Sequence, residues 1–177
     1  MMKQSGKAPK PLIVCYSYSG NTLALAQKIQ RLTGAALTQV FPTQPYPSRF
    51  EELLVQVRRE LRGRHYPKLL PVSEPPTDYD MIFVGSPNWC GTIAPPLASW
   101  LRQHNGLAGK TVLPFYSHCG GETGNPEGAV RILCPKAQVG AAFAAIPNKS
   151  DTEPALEAWL RQCGALPARA VQLGGNV

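Results

Sequence analysis

Short apolar runs at residues 12–16, 36–41, 81–86, 111–117 and 139–146 are separated by segments whose apolar residues recur at helical spacing. This alternation is what most constrains the fold. After the first run, Leu25, Ile29 and Leu32 mark a helix over 22–32 that Gly34 ends. After the second, Ser48 and Glu51 stand at the spacing of a capping box, predicting a helix over 48–61 that Gly63 and Pro67 stop. Pro95 and Pro96 open a third helix, since first-turn N–H groups have no intrahelical partner to lose. Asn125 and Pro126 open a short fourth, and residues 154–162 form a fifth. Runs this short and this apolar read as strands covered on both faces. Parallel neighbours need a crossover, and right-handed crossovers place the helices on both sides of the sheet. The expectation is one α/β domain over residues 1–177, with 1–10 as a flexible N-terminus.

Composition excludes some function classes. The chain carries 18 Lys and Arg against 11 Asp and Glu, a net charge of +7. The charges are scattered apart from Arg58, Arg59, Arg62 and Arg64, and no base-stacking motif accompanies them. Charge alone supports only nonspecific nucleic-acid binding, so no nucleic-acid partner is expected. The cysteines, Cys15, Cys90, Cys119, Cys134 and Cys163, form no CxxC pair and are odd in number, which fits free thiols in a reducing compartment. The N-terminal run LIVC is too short for a signal peptide, and no window reaches the ~20 apolar residues of a membrane span. A cytoplasmic protein with no membrane span is the expectation.

In an open parallel sheet, ligands bind beyond the carboxyl ends of the strands, where strand order reverses. Three loops there are unusual. SYSGNT, residues 17–22, places hydroxyls and Gly20 at the start of a helix, where free N–H groups make an anion site. The alternative is an ordinary capped helix. GSPNWCGTIAPP offers Trp89 either as a core anchor or as a flat stacking surface, flanked by Asn88, Gly91 and Thr92. SHCGGETGN carries Gly120, Gly121 and Gly124, which allow close backbone approach or a turn. His118 and Cys119 are adjacent, so in an extended segment they point apart and do not make a catalytic dyad. One ligand with a phosphate and a planar polar ring explains all three loops: flavin mononucleotide, FMN.

The same stretches resemble a known family. SYSGNT looks like the flavodoxin phosphate loop [ST]-x-[ST]-G-N-T, YDMIFVGSPNWCGTIAPPLASWL resembles that family's third strand and ring-binding loop, and GKTVLPFYSHCGGETG is similar to its fourth strand and third loop. The nearest subgroup is the short-chain flavodoxin-like one with a PYP loop and an added helix between strands two and three, here residues 45–67. The resemblance implies a flavodoxin-like three-layer sandwich, a five-stranded parallel sheet in order 2-1-3-4-5, the order for which flavodoxin is the general example. It implies that Ser17, Ser19, Gly20, Asn21 and Thr22, with the Tyr18 backbone, hold the phosphate. Pro87, Asn88, Trp89, Cys90, Gly91 and Thr92 then line the ring, and Ser117, His118, Cys119, Gly120, Gly121 and Gly124 wrap its other edge. Cys90 stands where relatives often carry a second aromatic, Gly121–Glu122 where they commonly have Ser-Gly, and the chain is basic where typical flavodoxins are acidic.

The expected function is an FMN-binding redox protein that transfers electrons between protein partners, with no catalytic side chain. The alternative is an FMN-dependent NAD(P)H oxidoreductase acting on quinones or similar acceptors, with residues 45–67 at the rim of its pocket. A third reading is a module of the same fold that binds no flavin; the intact SGNT sequence argues against it.

Overall fold

The computed structural model describes residues 10–120, 124–146 and 149–167. Residues 1–9 of the expected flexible stretch 1–10, the ring-edge residue Gly121 and its neighbour Glu122 lie outside the described residues. Strand β1 (Pro11–Cys15) pairs in parallel with β2 (Ala36–Gln39) on one side and β3 (Met81–Trp89) on the other. Strand β4 (Thr92–Ile93) folds back antiparallel onto the end of β3. Strand β5 (Thr111–Ser117) pairs in parallel with the far side of β3. The outer edge of β5 is shared by β6 (Gln138–Val139) and β7 (Phe143–Ala145), both parallel to it. The sheet order is β2-β1-β3-β5-β6, which is the expected 2-1-3-4-5 arrangement with its last position divided.

The division has a tertiary cause. The apolar run at 139–146 reads as one strand, but its middle is held by other elements. Arg131 donates to the carbonyls of Val139 and Gly140 at 2.7 and 3.3 Å, and the Trp159 indole N–H donates to that of Ala141 at 2.9 Å. The Ala142 N–H in turn donates to the Glu127 carboxylate at 2.8 Å. Backbone groups that would have joined the ladder are satisfied by side chains instead.

Alternation along the strands sorts the core into two layers. Leu12, Val14, Ile82 and Val84 pack against helices α2 (Phe50–Gly63), α3 (Pro95–Gln103) and α4 (Pro126–Leu133). Ile13, Phe83, Leu113 and Phe115 pack against α1 (Asn21–Thr33) and α5 (Thr152–Gln162) on the opposite face. Among the described residues no helix is long and apolar enough to cross a membrane.

The helix starts test the capping expectations. The Asn125 side chain accepts from the Gly128 N–H at 2.8 Å and Pro126 follows it, as expected. The Ser48–Glu51 capping box does not form. The N-cap of α2 is the extended Arg49, with no side-chain cap bond. The helix begins one residue later than the spacing implies, and Glu51 and Glu52 meet the positive helix end in its first turn instead. Arg49 and Glu52 form an ion pair at 3.3 Å across that turn.

Candidate functional site

The carboxyl ends of β1, β3 and β5 bring the three unusual loops to one edge of the sheet. Direct contacts join them. The Tyr16 N–H donates to the Gly85 carbonyl at 3.0 Å, so the first loop leaves β1 against β3. The hydroxyls of Thr22 and Ser117 share a buried hydrogen bond of 2.8 Å, tying the first turn of α1 to the last residue of β5. The Asn125 N–H donates to the Gly91 carbonyl at 2.8 Å, joining the second and third loops.

In the first loop, Gly20 is the N-cap of α1 in the left-handed region, φ 88°, and contributes no side-chain cap. That role passes to Ser17, whose Oγ accepts from the Leu23 N–H at 3.1 Å. Having accepted, Ser17 keeps its own O–H for a ligand. Ser19 and Gly20 are exposed, and helix geometry leaves the N–H groups of Asn21 and Thr22 without intrahelical partners. Thr22 is 1% exposed and bonded to Ser117; of these two hydroxyls one proton is spent between them and one remains. Tyr18 turns its ring away from the loop, its O–H donating to the Pro47 carbonyl at 2.6 Å. The loop therefore presents neutral donors and a positive helix end, with no Lys or Arg among residues 17–22.

The second segment is more ordered than the sequence implies. Pro87, Asn88 and Trp89 are the end of β3, Thr92 opens β4, and only Cys90 and Gly91 form the turn. Both have positive φ, 52° and 80°, as in the two-residue hairpin turn whose twist matches the strands. Cys90 thus occupies a conformation that non-glycine residues rarely take. Ser86, fully buried, accepts from the Ala94 N–H at 2.8 Å and donates to the Pro87 carbonyl at 2.7 Å, fixing the hairpin's root.

Trp89 is half-buried and packed among Tyr16, Tyr18 and Tyr46, with centroids 5.4, 5.7 and 5.1 Å away and planes 71–82° from its own. Near-perpendicular packing of this kind is favourable for aromatic pairs. Tyr46, from the PYP loop, is held by Glu60, which is only 6% exposed and accepts the Tyr46 O–H at 2.6 Å and a Gln56 N–H at 2.9 Å. Burial, then the bond to Glu60, pushes the Tyr46 phenol well above its ordinary range. Burial likewise raises that of Tyr16. The tyrosine of the PYP loop, with Tyr16 and Tyr18, packs around Trp89, a contact between distant segments that the sequence does not show.

In the third loop, Ser117 is buried, His118 half-buried, and Cys119 and Gly120 exposed. His118 Nδ1 accepts from the Gly120 N–H at 3.2 Å, so the imidazole braces its own turn. Gly124 lies against the hairpin: a Cβ there would come 2.3 Å from the Gly91 Cα, and its φ of 61° disfavours any side chain. The described sequence-predicted residues thus lie on the three segments at the carboxyl ends of β1, β3 and β5, joined by the Thr22–Ser117 and Asn125–Gly91 bonds. Thr22 and Ser117 form the floor, and Ser19, Cys90, Cys119, Gly120 and Gly124 are exposed. An apolar cleft lined by Phe50, Leu53, Leu54, Val57 and Trp89 opens beside the hairpin, and the first turns of α2, part of the 45–67 segment that the enzyme alternative sets at a pocket rim, reach this edge.

The Flavodoxin family model matches residues 10–163. The chain belongs to the flavodoxin family. Solved structures with this flavodoxin fold include a Bacteroides eggerthii protein assigned as a flavoprotein, 26% identical with a TM-score of 0.76, covering 88% of this chain and 98% of that one. A Lactobacillus acidophilus flavoprotein in complex with FMN is 23% identical with a TM-score of 0.71, covering 86% and 99%. Rubredoxin oxygen:oxidoreductase from Desulfovibrio gigas is 17% identical with a TM-score of 0.50, and the match covers 90% of this flavodoxin but 37% of that chain. Among curated proteins none matches.

Proposed function

We propose that this flavodoxin binds FMN and carries electrons between protein partners. The observation that carries the reading is the Thr22–Ser117 hydrogen bond, which ties the small-hydroxyl loop at the start of α1 to the end of β5 and the loop that follows it. The chain's donors suit FMN. The phosphate is a dianion that exposed N–H groups, the Ser17 and Ser19 hydroxyls and the helix end would hold. The ring is planar, polar at its edges and apolar on its faces, matching the backbone of Gly91 and Gly120 and the Trp89–Cys90 hairpin. The FMN complex of the Lactobacillus relative supports the same assignment. When bound, FMN supplies the electron chemistry; the protein holds and orients it and sets the charge around it.

In this proposal Ser17, Ser19, Gly20, Asn21 and Thr22, with the Tyr18 backbone, serve the phosphate. Pro87 through Thr92 serve one side of the ring, and Ser117 through Gly120 with Gly124 the other. Because Thr22 is buried, Ser19 is the cleaner probe. Ser19→Ala should weaken FMN several-fold in a fluorescence titration while leaving riboflavin, which lacks the phosphate, unchanged. Equal losses for both would reject the phosphate assignment, and a purified protein that takes up neither would reject the reading.

The apolar cleft of Phe50, Leu54 and Trp89 favours a second reading, an FMN-dependent NAD(P)H oxidoreductase acting on quinones or similar acceptors. Direct bleaching of the bound flavin by NADH or NADPH, followed by turnover with a quinone, selects it. Bleaching only through a reductase protein selects the carrier.

A further inference from the structure

The far side of the β3–β4 hairpin opens on a second depression, about 190 Å³, between the end of α2, the start of α3 and α4. Its floor is apolar, made by Leu61, Ile93, Ala98 and Leu133, and Ile132 stands at its edge 80% exposed. Arg64 lines it, and Arg102 lies over the lining Tyr66 ring at 4.4 Å. The exposed Arg58 and Arg62 stand on α2 within one turn of the lining Leu61, and the buried Glu60 carboxylate, held by Tyr46, also lines the groove.

Charge pairing along α2 does not account for these arginines. Arg58 and Arg62 are four residues apart and Arg59 and Arg62 three, spacings at which like charges repel. Arg62, in the last turn, and Arg64, at the C-cap, complement the helix dipole. Arg64 occupies the left-handed C-cap, φ 48°, where glycine is cheaper. Among the described residues, none of the four forms an ion pair.

We propose that this groove is the docking surface for an acidic redox protein. The inference rests on the electron-carrier reading and names the chemistry of its partner. An apolar centre within a charged rim is the anatomy of a transient interface, and the charge here requires carboxylates opposite. A second copy of the chain would set arginines against arginines across a two-fold axis. Nucleic acid would match the rim but bring no apolar surface to the floor. Thr92 and Ile93 line the groove while Trp89 and Cys90 face the cleft on the other side, so a protein seated here lies one hairpin away from the proposed flavin ring.

The test is biosensor binding of the full chain, with and without FMN, to an acidic 2Fe–2S ferredoxin, a basic cytochrome c and a short DNA duplex, at roughly 50 and 200 mM salt. Ferredoxin should bind best and weaken with salt. Arg58→Glu with Arg62→Glu should cost at least about tenfold and flatten the salt dependence. Ile132→Asn should weaken binding without changing that dependence. Lys136→Glu, exposed in the turn after α4 and outside the groove's lining, its carbonyl accepting from the Gly109 N–H, should have far less effect. No ferredoxin binding, a double variant no weaker than Lys136→Glu, cytochrome c binding equally well, or DNA binding more tightly and lost in the same variants would each overturn the proposal. FMN uptake by the same preparations, and its bleaching by NAD(P)H directly or only through a reductase protein, are scored separately, so failure of the carrier reading is distinguishable from failure of the surface.

Discussion

At the scale of single residues, the site is braced by a hydrogen bond between side chains of distant segments. The Thr22–Ser117 bond is buried, so removing one hydroxyl strands the other without water. Thr22→Val should cost about 1–3 kcal/mol in urea unfolding, and Thr22→Val with Ser117→Ala less than the sum of the two single losses. Additive losses would mean that the two hydroxyls do not interact. The cysteines give a second residue-scale expectation. Burial pushes the Cys15 thiol up to about 12 and that of Cys134 to about 11, whereas Cys90 and Cys119 are exposed. A thiol reagent at pH 8 should modify Cys90 and Cys119 in the native protein and reach Cys15 and Cys134 only on unfolding. Saturating FMN should slow both exposed sites; mass mapping that shows no protection would remove Cys90 and Cys119 from the ring's surroundings.

At the scale of elements, α4 is tied to the broken edge of the sheet through Glu127. The Ala142 N–H first, and Arg131 second, hold the Glu127 carboxyl below its ordinary value of 4.5, in spite of burial. A depressed carboxyl pKa contributes stability that is complete above the unfolded value and is lost as pH falls through the folded one. The acid limb of the stability curve, from about pH 5 downward, should therefore flatten in Glu127→Gln, with little further change above it in slope. An unchanged acid limb would place the acid sensitivity elsewhere. The hairpin and α2 are elements of a different kind: Ser86 roots one and the Tyr46–Glu60 bond anchors the other, and Trp89 is held where they meet.

At the scale of the whole molecule, net charge is the departure from typical flavodoxins that has a direction. Reduction builds negative charge on the bound ring, and a protein of +7 opposes this less than an acidic one. The reduction potential should be less negative than in acidic flavodoxins and should fall by on the order of tens of millivolts as salt screens the field. Spectroelectrochemical titration at two salt concentrations measures both; a potential as low as theirs and insensitive to salt would reject the electrostatic account.

Much of this was legible in the chain. Apolar runs separated by helical spacing determined the parallel sheet and its layers, because strands buried on both faces have no other way to hide their side chains. The Gly-Asn-Thr at the start of α1 and the glycines after β5 pointed to a ligand edge, because small residues and free N–H groups are local properties. What tertiary structure decided are contacts between distant segments. The run at 139–146 carries no sign that Arg131, Glu127 and Trp159 divide it. Ser48 and Glu51 have the right spacing, but the chain enters α2 one residue later. Trp89 was read as either an anchor or a platform, and its setting depends on Tyr16, Tyr18 and Tyr46, which only the fold gathers around it. SYSGNT alone specified a helix start rich in donors. That Thr22 faces Ser117, leaving Ser19 and the backbone at the surface, depends on where β5 ends, a position set by sheet register.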